Sequence, residues 1–407
     1  MRILINGTNY YPEKIGIGKY TGEMAEWLAA HGHEVRVVTA PPYYPEWRVA
    51  PDYSTWRYRR EYKSGIEVWR CPLWVPKKLS GLKRILHLAS FALGSLPIML
   101  WQILWKPDVV LVIEPPLMCA PVARIVAGLS GARAWLHIQD FEVDAAFDLG
   151  ILRAGWLKQW VFMIERLLMS CFDRVSTISA KMLEKLDSKG VVSDKRILFS
   201  NWVDLDEIHP LEKESLFRGK LGILPSQIVA LYSGSMGDKQ GLEIVLEAAA
   251  KLHTGSDIKF VLCGDGAAKV RLLTKYAGLQ NVVWLPLQPL EMLNELLNLA
   301  DVHLLPQRDD VADLVMPSKL LGMLASGRPV LTNAAIDTQV GGIVSRCGIV
   351  SSPNDTCVFL DALQKLAGDP DERKKMGLAG RSIAEKNFSK EAVLRQFEQE
   401  LAGVICA

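Results

Sequence analysis

Residues 228–252 read IVALYSGSMGDKQGLEIVLEAAAKL and place a glycine-rich loop between an apolar run and a helical pattern. The run Ile228–Ser233 has the length and composition of a buried strand, and Leu242–Leu252 carries its apolar residues at helical spacing. A strand, a glycine loop and a helix in this order predict one βα unit of a parallel α/β sheet.

The same alternation runs along the chain on both sides of this stretch. Strands are predicted before it at Arg2–Asn6, Glu34–Thr39, Ile66–Cys71, Val109–Ile113, Ala134–Ile138 and Arg174–Ile178. After it they are predicted at Lys259–Cys263, Val282–Leu285, Val302–Leu305, Pro329–Thr332 and Gly348–Val350, separated by helices at Lys269–Ala277, Leu290–Leu299 and Ser318–Ala325. A single open sheet of about a dozen strands is unusual. We therefore predict two doubly wound, Rossmann-like domains that face each other across a cleft.

The domain joint is predicted near FSNWVDLDEIHP, residues 199–210, where strand character gives way to polar and turn residues. This gives a first domain over 1–200 and a second over 201–385. Residues 386–407 are predicted to form a C-terminal helix, capped by Ser389, that packs back on the first domain.

Composition excludes several classes of protein. A net charge of +2 without a basic tract argues against nucleic-acid binding. The seven cysteines are scattered singly, which argues against disulfide and metal roles and favours a reducing compartment. The N-terminus lacks the apolar stretch of a secretory signal, so a cytoplasmic location is expected. The acidic pair in DPD, residues 369–371, falls in a predicted surface turn, and no metal site is predicted.

One segment has membrane-like composition. Residues 85–105, ILHLASFALGSLPIMLWQILW, carry no full charge and are long enough to cross a bilayer. A basic collar precedes them, formed by Lys77, Lys78, Lys83 and Arg84. Three interpretations stay open: a helix inserted at the membrane interface, an internal core helix, or a true span. The first is favoured, because Gly94 and Pro97 interrupt the segment and a crossover helix is required at this point of the chain.

The loop after the first strand, YYPEKIGIGKY at residues 10–20, suggests a phosphate-binding loop. A dinucleotide fingerprint needs its glycines directly after the strand and an acid at the end of strand two. Gly16 lies ten residues beyond Asn6 and strand two has no terminal acid, so this class is excluded. We predict a mobile loop in which Gly16, Gly18 and Lys19 meet phosphate or sugar oxygens; an ordinary surface turn is the alternative.

A second group of polar residues, HIQDFEVD, follows the strand Ala134–Ile138. His137 is predicted to point from the strand end toward the cleft, with Asp140, Glu142 and Asp144 close behind. Four ionisable groups on one strand-end loop favour a functional role over a structural one.

Three loops of the second half point to an anionic ligand. In YSGSMGDKQGLE, Gly234 allows close approach of a ligand and Lys239 supplies positive charge, which suits a diphosphate. In LCGDGAAK the two glycines, Gly264 and Gly266, are a weaker signal, because a tight turn also needs them.

The third loop ends in MPSKLLGMLASGRPV, where Pro317 suits a first helical turn. Ser318 and Lys319 then lie at the positive end of the helix dipole. A lysine is disfavoured there unless an anion compensates it, so both residues are predicted to contact phosphate.

Together these motifs resemble the retaining, nucleotide-sugar-dependent glycosyltransferases of the large bacterial group numbered four, which have the GT-B fold. The resemblance covers essentially the whole chain and is closest to the exopolysaccharide transferases of colanic-acid type that add fucose or a fucosamine. It rests on four stretches: YYPEKIGIGKYTGEMAEWLAAHGHEVRVVTAPPYYPEW, LHIQDFEVDA, YSGSMGDKQGLE and MPSKLLGMLASGRPV.

The resemblance implies a role for each matching residue. Catalytic roles fall to His137, Asp140, Lys239 and Lys319. Donor contacts fall to Gly16, Gly18, Lys19, Gly234, Ser235, Gly264, Gly266, Leu285, Leu287, Pro317 and Ser318, with Asp310 or Asp313 as candidates for sugar hydroxyls. The nucleotide base would lie against the backbone of Leu285 to Leu287, and no metal or other cofactor is implied.

The chain also departs from the family pattern. Ser235 stands where the family commonly has an arginine, and Gln240 stands where it has a lysine, with Lys239 one place earlier. The family's two glutamates eight residues apart are replaced by Leu314 and Gly322. The usual ribose contact is therefore not carried over.

By this resemblance the first domain binds the acceptor and the second binds the nucleotide sugar. The implied reaction moves a sugar, L-fucose from GDP-fucose or N-acetylfucosamine from its UDP donor, to a saccharide on undecaprenyl diphosphate. Residues 77–105 would hold the enzyme peripherally on the inner face of the cytoplasmic membrane. Two other functions stay open: a nucleotide-sugar epimerase of the same fold, and a non-catalytic assembly partner that binds nucleotide sugar.

Overall fold

A computed structural model describes residues 1–77, 80–148, 155–252, 255–308 and 317–406, and the side chains of these residues except 145, 146, 148 and 155–157. The chain divides into two compact units. The first comprises Met1–Asn201 together with Leu394–Ala407, and the second comprises Trp202–Val393.

The first unit is built on an eight-stranded sheet. Its strands are β1 (Arg2–Asn6), β2 (Glu34–Thr39), β3 (Arg59–Lys63), β4 (Ile66–Arg70), β5 (Val109–Glu114), β6 (Arg133–Ile138), β7 (Arg174–Thr177) and β8 (Arg196–Leu198). Its helices are α1 (Gly16–Ala30), α2 (Gly81–Trp101), α3 (Ala120–Ser130), α4 (Glu142–Asp148), α5 (Gly155–Ser170) and α6 (Ala180–Ser188). The strand order is β3-β4-β2-β1-β5-β6-β7-β8, parallel except for the β3–β4 pair.

Four helices cover one face of this sheet. The connections through α2, α3, α5 and α6 all lead in the same direction across the sheet, and right-handed crossovers place such helices on one side. A single core confirms this: Val110 and Leu136 of the sheet pack with Phe91 of α2, Val126 of α3 and Met182 of α6. The outer sides of these helices are consequently one continuous surface of the first unit.

The second unit contains a six-stranded parallel sheet. Its strands are β9 (Ile228–Ser233), β10 (Ile258–Cys263), β11 (Val282–Leu285), β12 (Val302–Leu305), β13 (Val330–Thr332) and β14 (Gly348–Val350). Its helices are α7 (Leu216–Lys220), α8 (Glu243–Lys251), α9 (Lys269–Lys275), α10 (Leu293–Asn298), α11 (Ser318–Ala325), α12 (Gln339–Val344), α13 (Thr356–Gly368) and α14 (Pro370–Asn387). A last helix, α15 (Lys390–Cys406), continues into the residues assigned to the first unit. The order β11-β10-β9-β12-β13-β14 reverses direction between β9 and β12, as in a dinucleotide-binding fold.

The predicted strands are confirmed to within one residue at each end, and the two Rossmann-like α/β folds with them. Two strands were not predicted. The edge strand β3 reads RREYK and carries charges on both faces, and β8 has only three residues. Neither has the apolar run that identifies a buried strand.

The apolar segment forms α2 and a short 3-10 helix that ends at Trp105. One side of α2 packs into the first unit through His87, Phe91 and Met99. The opposite side exposes large apolar residues: Leu82, Leu86, Leu93, Leu96, Leu100 and Trp101. The helix is therefore the predicted crossover element and also presents an apolar outer face, and it continues through Pro97 without a break.

Candidate functional site

The reversal of strand order in the second unit locates a candidate site. Ligands of doubly wound sheets bind beyond the carboxyl ends of the strands at this point. The loop after β9 begins at Gly234, and α11 begins at Ser318 after the connection from β12. The two segments that carried the sequence signals for phosphate therefore lie at the switch point of the same sheet.

Three glycines let the loops after β9 and β10 approach each other closely. Gly234 has φ +140°, and a Cβ on Gly264 would lie 1.9 Å from its carbonyl oxygen. A Cβ on Gly266 would lie 2.5 Å from the carbonyl oxygen of Met236. The Met236 amide donates to the carbonyl of Asp265 at 2.8 Å. Gly264 and Gly266 thus allow the loop after β10 to pack against the loop after β9, by admitting backbone where a side chain would clash.

Lys319 reaches from the first turn of α11 to this loop. Its Nζ lies 3.5 Å from the hydroxyl oxygen of Tyr232 and 4.6 Å from the centre of that ring. Its Cδ lies 3.4 Å from the position of a Cβ on Gly234. No carboxylate of the described residues forms an ion pair with it, and burial lowers the pKa of its ammonium group to about 8. A half-buried cation that pairs with no described carboxylate and is aimed at a glycine loop suits an anion.

The other predicted donor residues surround this point with varying exposure. Ser235 and Ser318 are exposed, and Lys239 is exposed in a short 3-10 helix. Pro317 is extended and directly precedes α11, whose first turn has no side-chain cap. Asp310 and Asp313 lie outside the described residues.

Part of the backbone that was predicted to contact the nucleotide base is already hydrogen-bonded within the fold. The carbonyl of Leu285 accepts a hydrogen bond from the amide of Gly264 at 3.1 Å. Leu287, two residues later, is 65% exposed. The backbone beyond Leu285 is accordingly the part of this segment that is open to a ligand.

In the first unit, the prediction that Gly16, Gly18 and Lys19 lie in a loop is wrong, whereas their contact with phosphate or sugar oxygens stays a prediction. Gly16 to Lys19 form the first turn of α1, and Gly16 has φ +59°. Gly18 packs so closely on Glu13 that a Cβ would lie 2.7 Å from its carboxylate. Lys19 forms an ion pair with Glu23 at 3.7 Å, one turn along the helix. Gly18 therefore admits Glu13 beneath the helix start, which the sequence pattern does not reveal.

His137 does not point outward from the strand end as predicted. Its side chain is buried, with Nδ1 2.9 Å from the hydroxyl of Ser176 and Nε2 3.0 Å from the amide of Gln139. Its ring lies 4.8 Å from that of Phe199. Burial lowers its pKa to about 3, so the ring is neutral. His137 lies within the paired part of the strand, opposite Ser176, so its side chain projects from a face of the sheet rather than from the strand end.

Two acids of the same loop also have structural partners. Glu142 accepts a hydrogen bond from the amide of Leu117 at 3.0 Å. Asp144 forms ion pairs with Lys185 of α6 and with Lys189, the residue that follows this helix. Asp140 is half-buried in the turn after β6. Three of the four predicted groups, His137, Glu142 and Asp144, therefore have partners within the fold.

Two polar features at the strand ends of the first unit were not predicted from the sequence. Gln139 exchanges hydrogen bonds with Asn201 at 3.2 and 3.3 Å, extending the chain of contacts from His137. Buried Glu13 accepts from the amides of Tyr43 and Tyr44 at 3.0 Å and from the Asn9 side chain at 2.8 Å. In the sequence, the available signal for this role of Glu13 was the position of an acid between two loops rich in aromatic residues.

No group of three metal-ligating side chains occurs among the described residues. Three aspartates, Asp309, Asp310 and Asp313, lie outside that part of the chain.

Two family models match the chain. Residues 16–202 match a glycosyl transferase 4-like domain, and residues 227–369 match the glycosyl transferases of group 1. The chain is 42% identical over 413 residues to the putative colanic acid biosynthesis glycosyl transferase WcaI of Escherichia coli (strain K12), covering 99% of this chain and 100% of that protein.

Solved glycosyltransferase structures share the fold at low identity. Sucrose-phosphate synthase from Thermosynechococcus elongatus superposes with a TM-score of 0.76 at 16% identity, over 100% of this chain and 99% of that one. Anabaena HepE in complex with UDP-glucose superposes with a TM-score of 0.71 at 13% identity, over 99% and 100%. With two Rossmann-like units, both family matches and a full-length relative, the chain belongs to the glycosyltransferases of the GT-B fold, with a type 4-like first domain and a group 1 second domain.

Proposed function

We propose that the chain transfers a sugar from a nucleotide-diphosphate donor to a saccharide carried on a lipid diphosphate, at the inner face of the cytoplasmic membrane. The second unit binds the donor and the first binds the acceptor. The observation that carries the proposal is Lys319, a half-buried cation that faces the Gly234 loop and pairs with no carboxylate of the described residues.

In this proposal the diphosphate lies between the Gly234 loop and the first turn of α11. The backbone amides of the loop, the amides of Ser318 and Lys319 and the Lys319 ammonium all direct positive charge at it. These groups are fixed before the donor arrives, so they stabilise the charge that grows on the leaving diphosphate at little reorganisation cost. The exposed side chain of Lys239 adds a second positive charge, on the solvent side of the diphosphate.

The proposed chemistry breaks the bond between the sugar C1 and the diphosphate oxygen and forms one between C1 and an acceptor hydroxyl oxygen. The hydroxyl proton passes to the departing phosphate on the same face of the sugar. The anomeric configuration is then retained, and no carboxylate nucleophile or metal is required. The anomeric configuration of the product, read by NMR, tests this step separately.

The relatives support a place in surface-polysaccharide synthesis. The Escherichia coli relative is named for colanic acid biosynthesis. The HepE structure is a complex with UDP-glucose and supports only the class of donor, a nucleotide sugar. We propose L-fucose from GDP-fucose, or N-acetylfucosamine from its UDP donor, as the transferred sugar, on the resemblance of the motifs. Incubation with each donor and mass analysis of the product distinguishes them.

The lowered pKa of Lys319 predicts a pH dependence. The protonated lysine binds the donor, and above pH of about 8 the free protein holds this lysine neutral. Donor binding must then take up a proton, so the KM for the donor should rise by about tenfold for each pH unit above that value. Lys319→Arg keeps its charge and should flatten this rise. The same inflection in both proteins would assign it to another group.

The outer face of α2 is proposed to lie on the membrane. It exposes leucines along its length, its sequence holds no acid, and Lys83 and Arg84 stand in its first turn. Apolar side chains with basic neighbours suit the boundary between head groups and acyl chains. The predicted basic collar includes Lys78, which lies outside the described residues.

Polar replacement of this face should separate membrane contact from chemistry. We expect Leu93→Gln with Leu100→Gln to lower transfer to a lipid-linked acceptor in vesicles by about tenfold, because two exposed apolar anchors are lost. Transfer to a soluble saccharide acceptor should stay within about twofold. Leu378→Gln, at a 61% exposed leucine of the second unit, is the matched control. Equal losses on both acceptors would contradict the docking role.

Two rival functions predict different products. An epimerase would convert the nucleotide sugar without an acceptor, and a non-catalytic binder would leave it intact even with one. Transfer predicts release of nucleoside diphosphate only when the lipid-linked acceptor is present. Measuring that release with and without acceptor decides between the three.

A further inference from the structure

Helix α5 exposes an apolar stripe that the proposed function leaves unused. Its outward side presents Trp160, Met163, Ile164 and Leu167, which we call the α5 stripe. Trp160 is 56% exposed and Leu167 57%. These positions are spaced three and four residues apart, so they form one face of the helix. A stripe of this kind facing solvent marks an interaction surface.

The charges around the α5 stripe are positive. Exposed Lys158 and Arg166 lie on the same helix. The one acid in the helix, Glu165, is buried and forms an ion pair with Lys189. The outward side of α5 is therefore apolar and basic, the combination that suits an anionic bilayer surface.

A cavity of about 380 Å³ adjoins this stripe, between α5 and the end of α6. We call it the α5–α6 pocket; it is lined by Asp144, Phe162, Met163, Arg166, Lys185, Ser188 and Lys189. Met163 belongs both to the pocket lining and to the stripe. A ligand in the pocket would therefore lie directly beside the apolar face.

The lining carries three cations and one carboxylate. Asp144 is shared by Lys185 and Lys189, each 2.7 Å away. Arg166 makes no ion pair or hydrogen bond with a described residue and is exposed at the pocket edge. With buried Glu165 counted as well, one positive charge is left over. Arg166 supplies this positive charge. Its planar guanidinium group can donate two parallel hydrogen bonds to two oxygens of one phosphate.

We propose that the α5–α6 pocket binds the phosphate group of an anionic membrane lipid whose hydrocarbon chains lie against the α5 stripe. This lipid site rests on the proposed function and adds a second membrane-contacting surface of the first unit to the outer face of α2. Because α2, α3, α5 and α6 cover the same face of the sheet, the stripe and the outer face of α2 belong to one side of that unit.

Vesicle binding tests the proposal with the full chain. Sedimentation with phosphatidylcholine vesicles is compared with vesicles of equal parts phosphatidylcholine and phosphatidylglycerol. We expect preference for the anionic vesicles, a loss of about fivefold in Arg166→Gln, and a loss of at least about tenfold in Trp160→Gln with Leu167→Gln. Both variants alter exposed side chains, so their thermal unfolding should match wild type.

The matched control is Lys374→Gln with Leu378→Gln, an exposed cation and leucine of α14. Wild-type vesicle binding by both α5 variants, or an equal loss in the α14 control, would overturn the proposal. Thermal unfolding with inorganic phosphate identifies the source of the anion. If phosphate stabilises wild type through Arg166 while vesicle binding is unaffected by Arg166→Gln, the pocket takes a free anion and the lipid assignment is wrong. Transfer to a soluble acceptor should persist in every variant, so this test can fail without the transferase function failing.

Discussion

Lys319→Met is expected to lower kcat/KM for the donor by about 100-fold or more. Removing one fixed donor of charge at a developing anion costs roughly 2.7–4 kcal/mol in other enzymes. Lys319 faces the Gly234 loop from the first turn of α11, with its Nζ over the Tyr232 ring. Steady-state transfer with saturating acceptor measures the effect.

The stability of the same variant separates a binding role from a structural one. Burial lowers the pKa of the Lys319 ammonium group, so the cation is not stabilised by its surroundings in the free protein. Lys319→Met should therefore unfold at a temperature no lower than wild type. Lys374→Met, at an exposed lysine of α14, is the control and should change neither property. Full turnover in Lys319→Met, or lost turnover explained by unfolding, would contradict the assignment.

Gly264→Ala is expected to have the second large effect. The new methyl group would lie 1.9 Å from the carbonyl oxygen of Gly234, at a φ of +155° that side chains rarely adopt. Overpacking and backbone strain together should cost roughly 2–4 kcal/mol, which for a unit of this size lowers Tm by about 5–15 °C. Because the loop after β9 must move, donor kcat/KM should also fall by about 100-fold.

The control is Gly368→Ala at the end of α13, where nothing lies within 4 Å of an added Cβ. It should be neutral in both measurements. A Gly264→Ala protein with wild-type Tm and turnover would show that the two loops tolerate separation. The close packing of the loops after β9 and β10 would then not define the site.

The parallel strands were predictable because each is a short apolar run bounded by turn residues. Ile228–Ser233 and Val302–Leu305 each have a neighbouring strand on both sides, and burial on both faces produces that run. The restart of the pattern at Ile228 was enough to predict two sheets. The edge strand Arg59–Lys63 was missed, since its residues are charged and mostly exposed.

The donor loop could be predicted because its signals are local. Gly234, Ser318 and Lys319 each follow a strand or open a helix, and the order of strands brings them to one switch point. The first unit could not be read in the same way. The role of His137 depends on Ser176, a residue from the next strand, and the role of Gly18 depends on Glu13 packed beneath the helix. Such contacts are absent from a linear pattern.

Thermal unfolding of wild type and Lys319→Met, each with nucleosides and with nucleoside diphosphates, tests whether the second unit binds a nucleoside diphosphate through Lys319. A ligand that binds the folded protein raises its unfolding temperature by mass action. We expect GDP or UDP to raise the Tm of wild type, the corresponding nucleoside to have a much smaller effect, and Lys319→Met to lose most of the diphosphate effect. Equal stabilisation of both proteins by the diphosphate would contradict binding through Lys319.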